Sequence, residues 1–87
     1  MLIATFSKNF KKSLKKKDKF IQEKARERIR LFREDPFNVL LNNHSLAGEH
    51  KDKRSFNVTG DYRIIFYNTD KNTVCFTDIG THAELYE

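Results

Sequence analysis

Three histidines, His44, His50 and His82, stand in the second half of the chain, in company with Arg54, Asn57, Asp61, Arg63 and Tyr86. Histidine titrates near neutrality, so a pair can act as base and acid in breaking a phosphodiester. Arginine grips a phosphate bidentately and stabilises the charge that builds in the transition state. Tyrosine offers a flat ring on which an unpaired base can stack. Together these are the parts of a ribonuclease that uses the RNA's own 2′-hydroxyl as nucleophile. Each has a plainer reading on its own. A loop histidine such as His44 is more often a hydrogen-bonding surface residue, and Asp61 after Gly60 fits a hairpin turn as well as a base. Arg63 on a strand can serve a cross-strand ion pair, and Tyr86 can cover the core edge. The histidines lack the close Cys/His or HExxH spacing of a zinc site, so no metal is expected. Without a Gly-rich phosphate loop, CxxC pair or GxSxG elbow, no cofactor is expected either.

These groups need a scaffold, and the apolar pattern supplies one. Leu2 to Phe6 reads as a first strand. Ser7 caps a helix in which Phe10 and Leu14 share a face, and Lys15 to Lys17 end it favourably for its dipole. Asp18 caps a longer helix with Ile21, Ala25, Ile29 and Phe32 at helical spacing, and Asp35-Pro36 stops it. Residues 37–53 read as a polar loop. The period then changes to two: a strand over 55–58, a turn at Thr59-Gly60, a strand over 62–67, a turn over 68–72 and a last strand over 74–79. Gly80 is expected to let the chain turn out of that strand, so that His82 projects near Asp61 and Arg63. The order β-α-α-β-β-β predicts an α+β fold, an antiparallel sheet with a helical hairpin packed on one face. Eighty-seven residues allow one domain, 1–87. Phe supplies eight of them, which points to a core of large rings.

Charge is unevenly spread. Residues 8–33 hold twelve Lys/Arg against three acids, a net +9 within a total of +5, so the remainder carries −4. Such a basic half suits a polyanion or an acidic protein partner, against the plainer reading of a solvated helix face. The residues expected to contact RNA are Lys11, Lys12, Lys15, Lys16, Lys51, Lys53, Arg54 and Asn57. The single cysteine, Cys75, leaves no internal disulfide, and in its apolar strand it reads as packing. MLIATF precedes the basic run rather than following one, which is not the layout of a secretory signal, and no apolar run reaches membrane-spanning length. A cytoplasmic protein without a membrane partner is expected.

The stretches HSLAG, RSFNVTGDYRIIFY and DIGTHAELY resemble three landmarks of the RelE/ParE toxin superfamily. The histidine loop and the GTHxxLY ending are similar to the YafQ-like messenger RNA interferases in particular. The resemblance spans essentially the whole chain. It implies cleavage of translated messenger RNA in the ribosomal A site, and neutralisation by a cognate antitoxin in a toxin–antitoxin oligomer. By position it places His44 on the family's loop histidine, Asp61 on its strand acid, His82 on its C-terminal histidine and Tyr86 on its terminal aromatic. Arg63 matches the arginine that RelE keeps in GYR. His82 would then be the general acid and His44 or Asp61 the base. Two positions depart: Asn57 stands where the YafQ pattern has a second histidine, and Asp78 where it has an arginine. Arg63, with Arg54, is expected to supply the lost positive charge. A ParE-like topoisomerase poison, and a degenerate toxin that only binds its antitoxin, are the competing functions on the same fold.

Overall fold

The computed structural model describes residues 1–48 and 51–86. In chain order the elements are β1 (Ile3–Phe6), α1 (Lys8–Lys15), α2 (Lys19–Glu34), a 3-10 turn (Val39–Leu41), β2 (His44–Ser45), β3 (Arg54–Asn57), β4 (Tyr62–Asp70), β5 (Thr73–Thr81) and α3 (His82–Tyr86). The helices begin where short polar side chains can take up unpaired amides. The Ser7 hydroxyl accepts from the Phe10 N–H at 3.0 Å, and an Asp18 carboxylate oxygen accepts from the Ile21 N–H at 2.9 Å. At the junction the Gln22 amide donates to the carbonyls of Leu14, Lys15 and Lys17, closing the open end of α1. Asp35, ahead of Pro36, ends α2.

The five strands lie in the order β1-β5-β4-β3-β2. β3 to β5 form the expected antiparallel meander and β2 adds to it antiparallel to β3, but β1 joins the sheet in parallel, Ile3 to Phe6 lying beside Thr73 to Phe76. A parallel partner cannot follow through a tight turn; here the helical hairpin carries the chain from β1 to β2 at the far edge, and β3 and β4 bring it back to β5. On the helix-covered face five phenylalanines, Phe10, Phe32, Phe56, Phe66 and Phe76, are fully buried. Phe32 stacks on Phe56 with centroids 4.6 Å apart and meets Phe66 edge-on at 4.7 Å. Burying each ring is worth about 1.5–3 kcal/mol, so α2 is held to the sheet chiefly through Phe32. No helix among the described residues is long and apolar enough to cross a membrane.

Three further features differ from the sequence expectation. The segment after Pro36 is not a featureless loop: the Asn38 side chain caps the Leu40 N–H at 3.0 Å, Leu41 is buried, and Asn42 takes a left-handed φ of 47° before β2. β4 and β5 run on to Asp70 and Thr81, leaving a shorter turn between them. The chain also does not turn out of the sheet at Gly80, which lies within β5 opposite Arg63. A Cβ on Gly80 would lie 3.1 Å from a Glu84 carboxylate oxygen and 3.3 Å from Leu85 Cδ2, so a larger residue would make these side chains shift by a few tenths of an ångström where α3 folds back over the strand.

Candidate active site

Alternation along the strands puts Phe56, Ile64 and Phe66 under the helices and their neighbours on the opposite face. There, cross-strand pairing builds two rows. His44, Ser55, Ile65 and Asp78 form one; Asn57, Arg63 and Gly80 form the next. α3 begins directly after β5 and carries His82 and Tyr86 four residues apart, on one side of a helix. Their rings lie 4.6 Å apart between centroids. Between rows and helix opens a cavity of about 230 Å³ lined by Asn42, His44, Arg63, His82 and Tyr86.

Two of these groups are fixed by their neighbours. His44 Nδ1 lies 2.8 Å from the Asn42 carbonyl oxygen. A carbonyl only accepts, so Nδ1 carries the hydrogen, and in the neutral ring Nε2 keeps its lone pair. Arg63 Nε donates to the Asn57 side-chain oxygen across the strand pair at 3.2 Å. Asn57 thus orients the guanidinium, a part that a histidine in its place would play differently.

The other residues singled out from the sequence lie elsewhere. The Asp61 side chain is exposed and does not line the cavity; its backbone oxygen accepts from the His82 N–H at 3.2 Å. Arg54 points to the opposite face of β3, donating to Asn43 at 2.9 Å and lying over the Phe37 ring, so only Arg63 brings a guanidinium to the cavity. Asp78 is held by the Asn9 side chain of α1 and stands clear of the cavity lining. Lys11, Lys12, Lys15, Lys16 and Lys51 are exposed, and Lys53 is half-buried. His50 lies outside the described residues. Among those residues, no three His, Cys, Asp or Glu are placed to hold a metal ion.

Two contributors escaped the sequence reading. The Asn42 carbonyl is a backbone group with no signature of its own. Thr81 and Glu84 did leave one, the Thr-x-x-Glu pattern of a capping box. The Thr81 N–H donates to a Glu84 carboxylate oxygen at 2.7 Å, and the Glu84 N–H donates to the Thr81 hydroxyl at 3.2 Å. These bonds begin α3.

On the helical side a second concavity, of about 440 Å³, runs between the helices. Phe6, Phe10, Leu14 and Ile29 form its floor, and its rim, Lys11, Arg26, Arg30 and Arg33, is wholly basic.

A mixed sheet with a basic helical hairpin on one face, and paired histidines with an arginine on the other, defines a toxin of the RelE/ParE superfamily. Residues 2–87 match the family described as "Bacterial toxin of type II toxin-antitoxin system, YafQ", and the chain belongs to that family. The crystal structure of YafQ from E. coli strain BL21(DE3) is 26% identical, with a TM-score of 0.80 and complete coverage of both chains. The E. coli DinJ-YafQ complex matches at 26% identity and a TM-score of 0.77, again over all of both chains. The YoeB/ParE toxin from Agrobacterium tumefaciens shares the fold at 16% identity and a TM-score of 0.77, over 93% of this chain and 99% of its own. No curated protein matches the sequence significantly.

Proposed function

We propose that this toxin is an endoribonuclease that cuts messenger RNA on the ribosome without a metal. The observation that carries the reading is the contact of His44 Nδ1 with the Asn42 carbonyl, which in the neutral ring leaves the Nε2 lone pair free to take a proton, at a cavity that His44 shares with Arg63 and His82. In the proposed reaction Nε2 takes the proton from the ribose 2′-hydroxyl, whose oxygen attacks the adjacent phosphorus. The bond from phosphorus to the 5′-oxygen breaks, and His82 in its protonated form gives that oxygen its proton. The products are a 2′,3′-cyclic phosphate and a free 5′-hydroxyl. Arg63 offsets the extra charge on the non-bridging oxygens, the task for which a pre-oriented guanidinium is suited. Tyr86, beside His82, stacks against a base. Asp61 is not needed as base in this scheme, because His44 already faces the cavity.

Regulation follows from the family. The DinJ-YafQ complex pairs a similar toxin with its antitoxin, and we infer a cognate antitoxin here. Its docking segment would be amphipathic and acidic, matching the apolar floor and basic rim of the interhelical groove. A cytoplasmic location accords with ribosomes as target.

Primer extension on translating ribosomes tests the reading. Wild type should give discrete cuts whose 3′ fragments carry a free 5′-hydroxyl, and folded His82→Ala should lose them. Toxicity that persists in His82→Ala would overturn the ribonuclease reading in favour of a topoisomerase poison, as in the ParE alternative. A wild type that binds antitoxin yet neither cuts nor arrests growth would identify a degenerate toxin.

A further inference from the structure

We propose that Glu84, acting with Thr81 and Lys17, is the positioning residue of the active site: it fixes α3 so that His82 and Tyr86 face His44 and Arg63. The inference rests on the ribonuclease reading above. α3 has five residues, too few to hold a helix in water without help. None of its residues is fully buried, and the two that are half-buried, Leu85 and Tyr86, lie at its C-terminal end, so packing does not by itself set its first turn. The His82 N–H donates to the Asp61 carbonyl, and the side-chain contacts of the first turn centre on one carboxylate. Glu84 Oε1 accepts from the Thr81 N–H at 2.7 Å, and Lys17 Nζ, from the link between α1 and α2, lies 3.5 Å from the same oxygen. The Lys17 side chain is only 15% exposed and its ammonium lies 5.7 Å from the centroid of the Tyr62 ring, so it is itself held in place. β5 leaves room for this carboxylate at Gly80, where a Cβ would crowd it at 3.1 Å. The Thr81 amide, and after it Lys17, hold the Glu84 carboxyl below the usual glutamate range, as expected for an ion these contacts favour. Contacts that add little to the core but set the first turn of the helix bearing two cavity side chains serve the site more than the fold.

The test compares Glu84→Ala, Glu84→Gln and Lys17→Met by single-turnover cleavage on messenger-programmed ribosomes, alone and in a His82→Ala background. Glu84→Ala should slow cleavage about ten-fold, since small misplacements of a reacting group are costly, while ribosome affinity stays within about two-fold of wild type. Glu84→Gln keeps an acceptor for the Thr81 N–H and should recover most of the rate; Lys17→Met should fall between the two. On top of His82→Ala, Glu84→Ala should cost only the smaller share carried by Tyr86, because most of its effect runs through the missing ring. In NMR of the free protein, the nuclear Overhauser effect between the His82 and Tyr86 rings should vanish in Glu84→Ala and persist in Glu84→Gln. An unchanged rate in Glu84→Ala, a full multiplicative loss in the double variant, or rings that stay together in Glu84→Ala would overturn the proposal. A wild type that leaves RNA intact would instead overturn the ribonuclease reading, and the NMR comparison would then decide the positioning role alone.

Discussion

At the scale of single residues, the proposed reaction divides its labour between groups that move protons and groups that hold charge. Removing the base or the charge clamp should therefore be equally visible. His44→Gln should lower cleavage by about 10² to 10⁴. Arg63→Ala should lower it by about 10² or more, with circular dichroism unchanged in both. Asp61→Asn is the informative control. Its carboxylate is exposed and only its backbone oxygen engages His82, so cleavage should stay close to wild type; a large loss would return Asp61 to the role of base. Much of this constellation was legible in the sequence, because histidine, arginine and tyrosine carry chemistry in their side chains. Strand alternation even separates Arg63 from the core residues Tyr62 and Ile64. What was not legible is carried by backbone and by spatial neighbours: the Asn42 carbonyl that sets the His44 tautomer, and the contacts that turn Arg54 and Asp78 away from the cavity. Asn57, a departure from the family pattern, becomes intelligible only when Arg63 is seen bonded to it.

At the scale of elements, α3 is the piece whose placement matters most and whose own cohesion is least. Gly80→Ala would push a methyl against Glu84 and Leu85 at 3.1–3.3 Å. Cleavage should drop several-fold, roughly in step with the displacement of α3, while the melting temperature changes little. Acidification should act on the same element. The Glu84 carboxyl is held below its usual value of 4.5, chiefly by the Thr81 amide. The ion it stabilises is fully formed above that unfolded-state value, so its contribution is present at neutral pH and is lost as pH falls through the lowered folded value. Amide exchange in residues 82–86 should accelerate there before the sheet amides respond. The two long helices and the meander were legible because their signals are local: Ser7 and Asp18 as caps, Asp35-Pro36 as a stop, period-two alternation in the second half. β1 beside β5, the two-residue β2 and the five-residue α3 were not, since pairing across seventy positions leaves no local pattern and elements this short have no periodicity to detect.

At the scale of the molecule, the proposed function gives the two faces separate tasks, with the basic hairpin on one side and the cavity on the other. Replacing Lys11, Lys12, Lys15 and Lys16 by Gln should weaken ribosome binding and flatten its salt dependence, with the fold intact because all four side chains are exposed. Salt-independent binding by the wild type would reduce this face to a solvated surface. The antitoxin should raise the melting temperature of the toxin by mass action, and Arg26→Glu with Arg30→Glu on the groove rim should diminish that rise. The parallel seat of β1 has a consequence for biosynthesis. β1 leaves the ribosome long before β5 exists, and the sheet edge it completes cannot close until residues 73–76 have emerged. His82 and Tyr86 follow later still. Contacts this distant in sequence form slowly and only once the intervening chain is present, so the strand that leads into His82 and Tyr86 finds its parallel neighbour only when nearly the whole chain has been made.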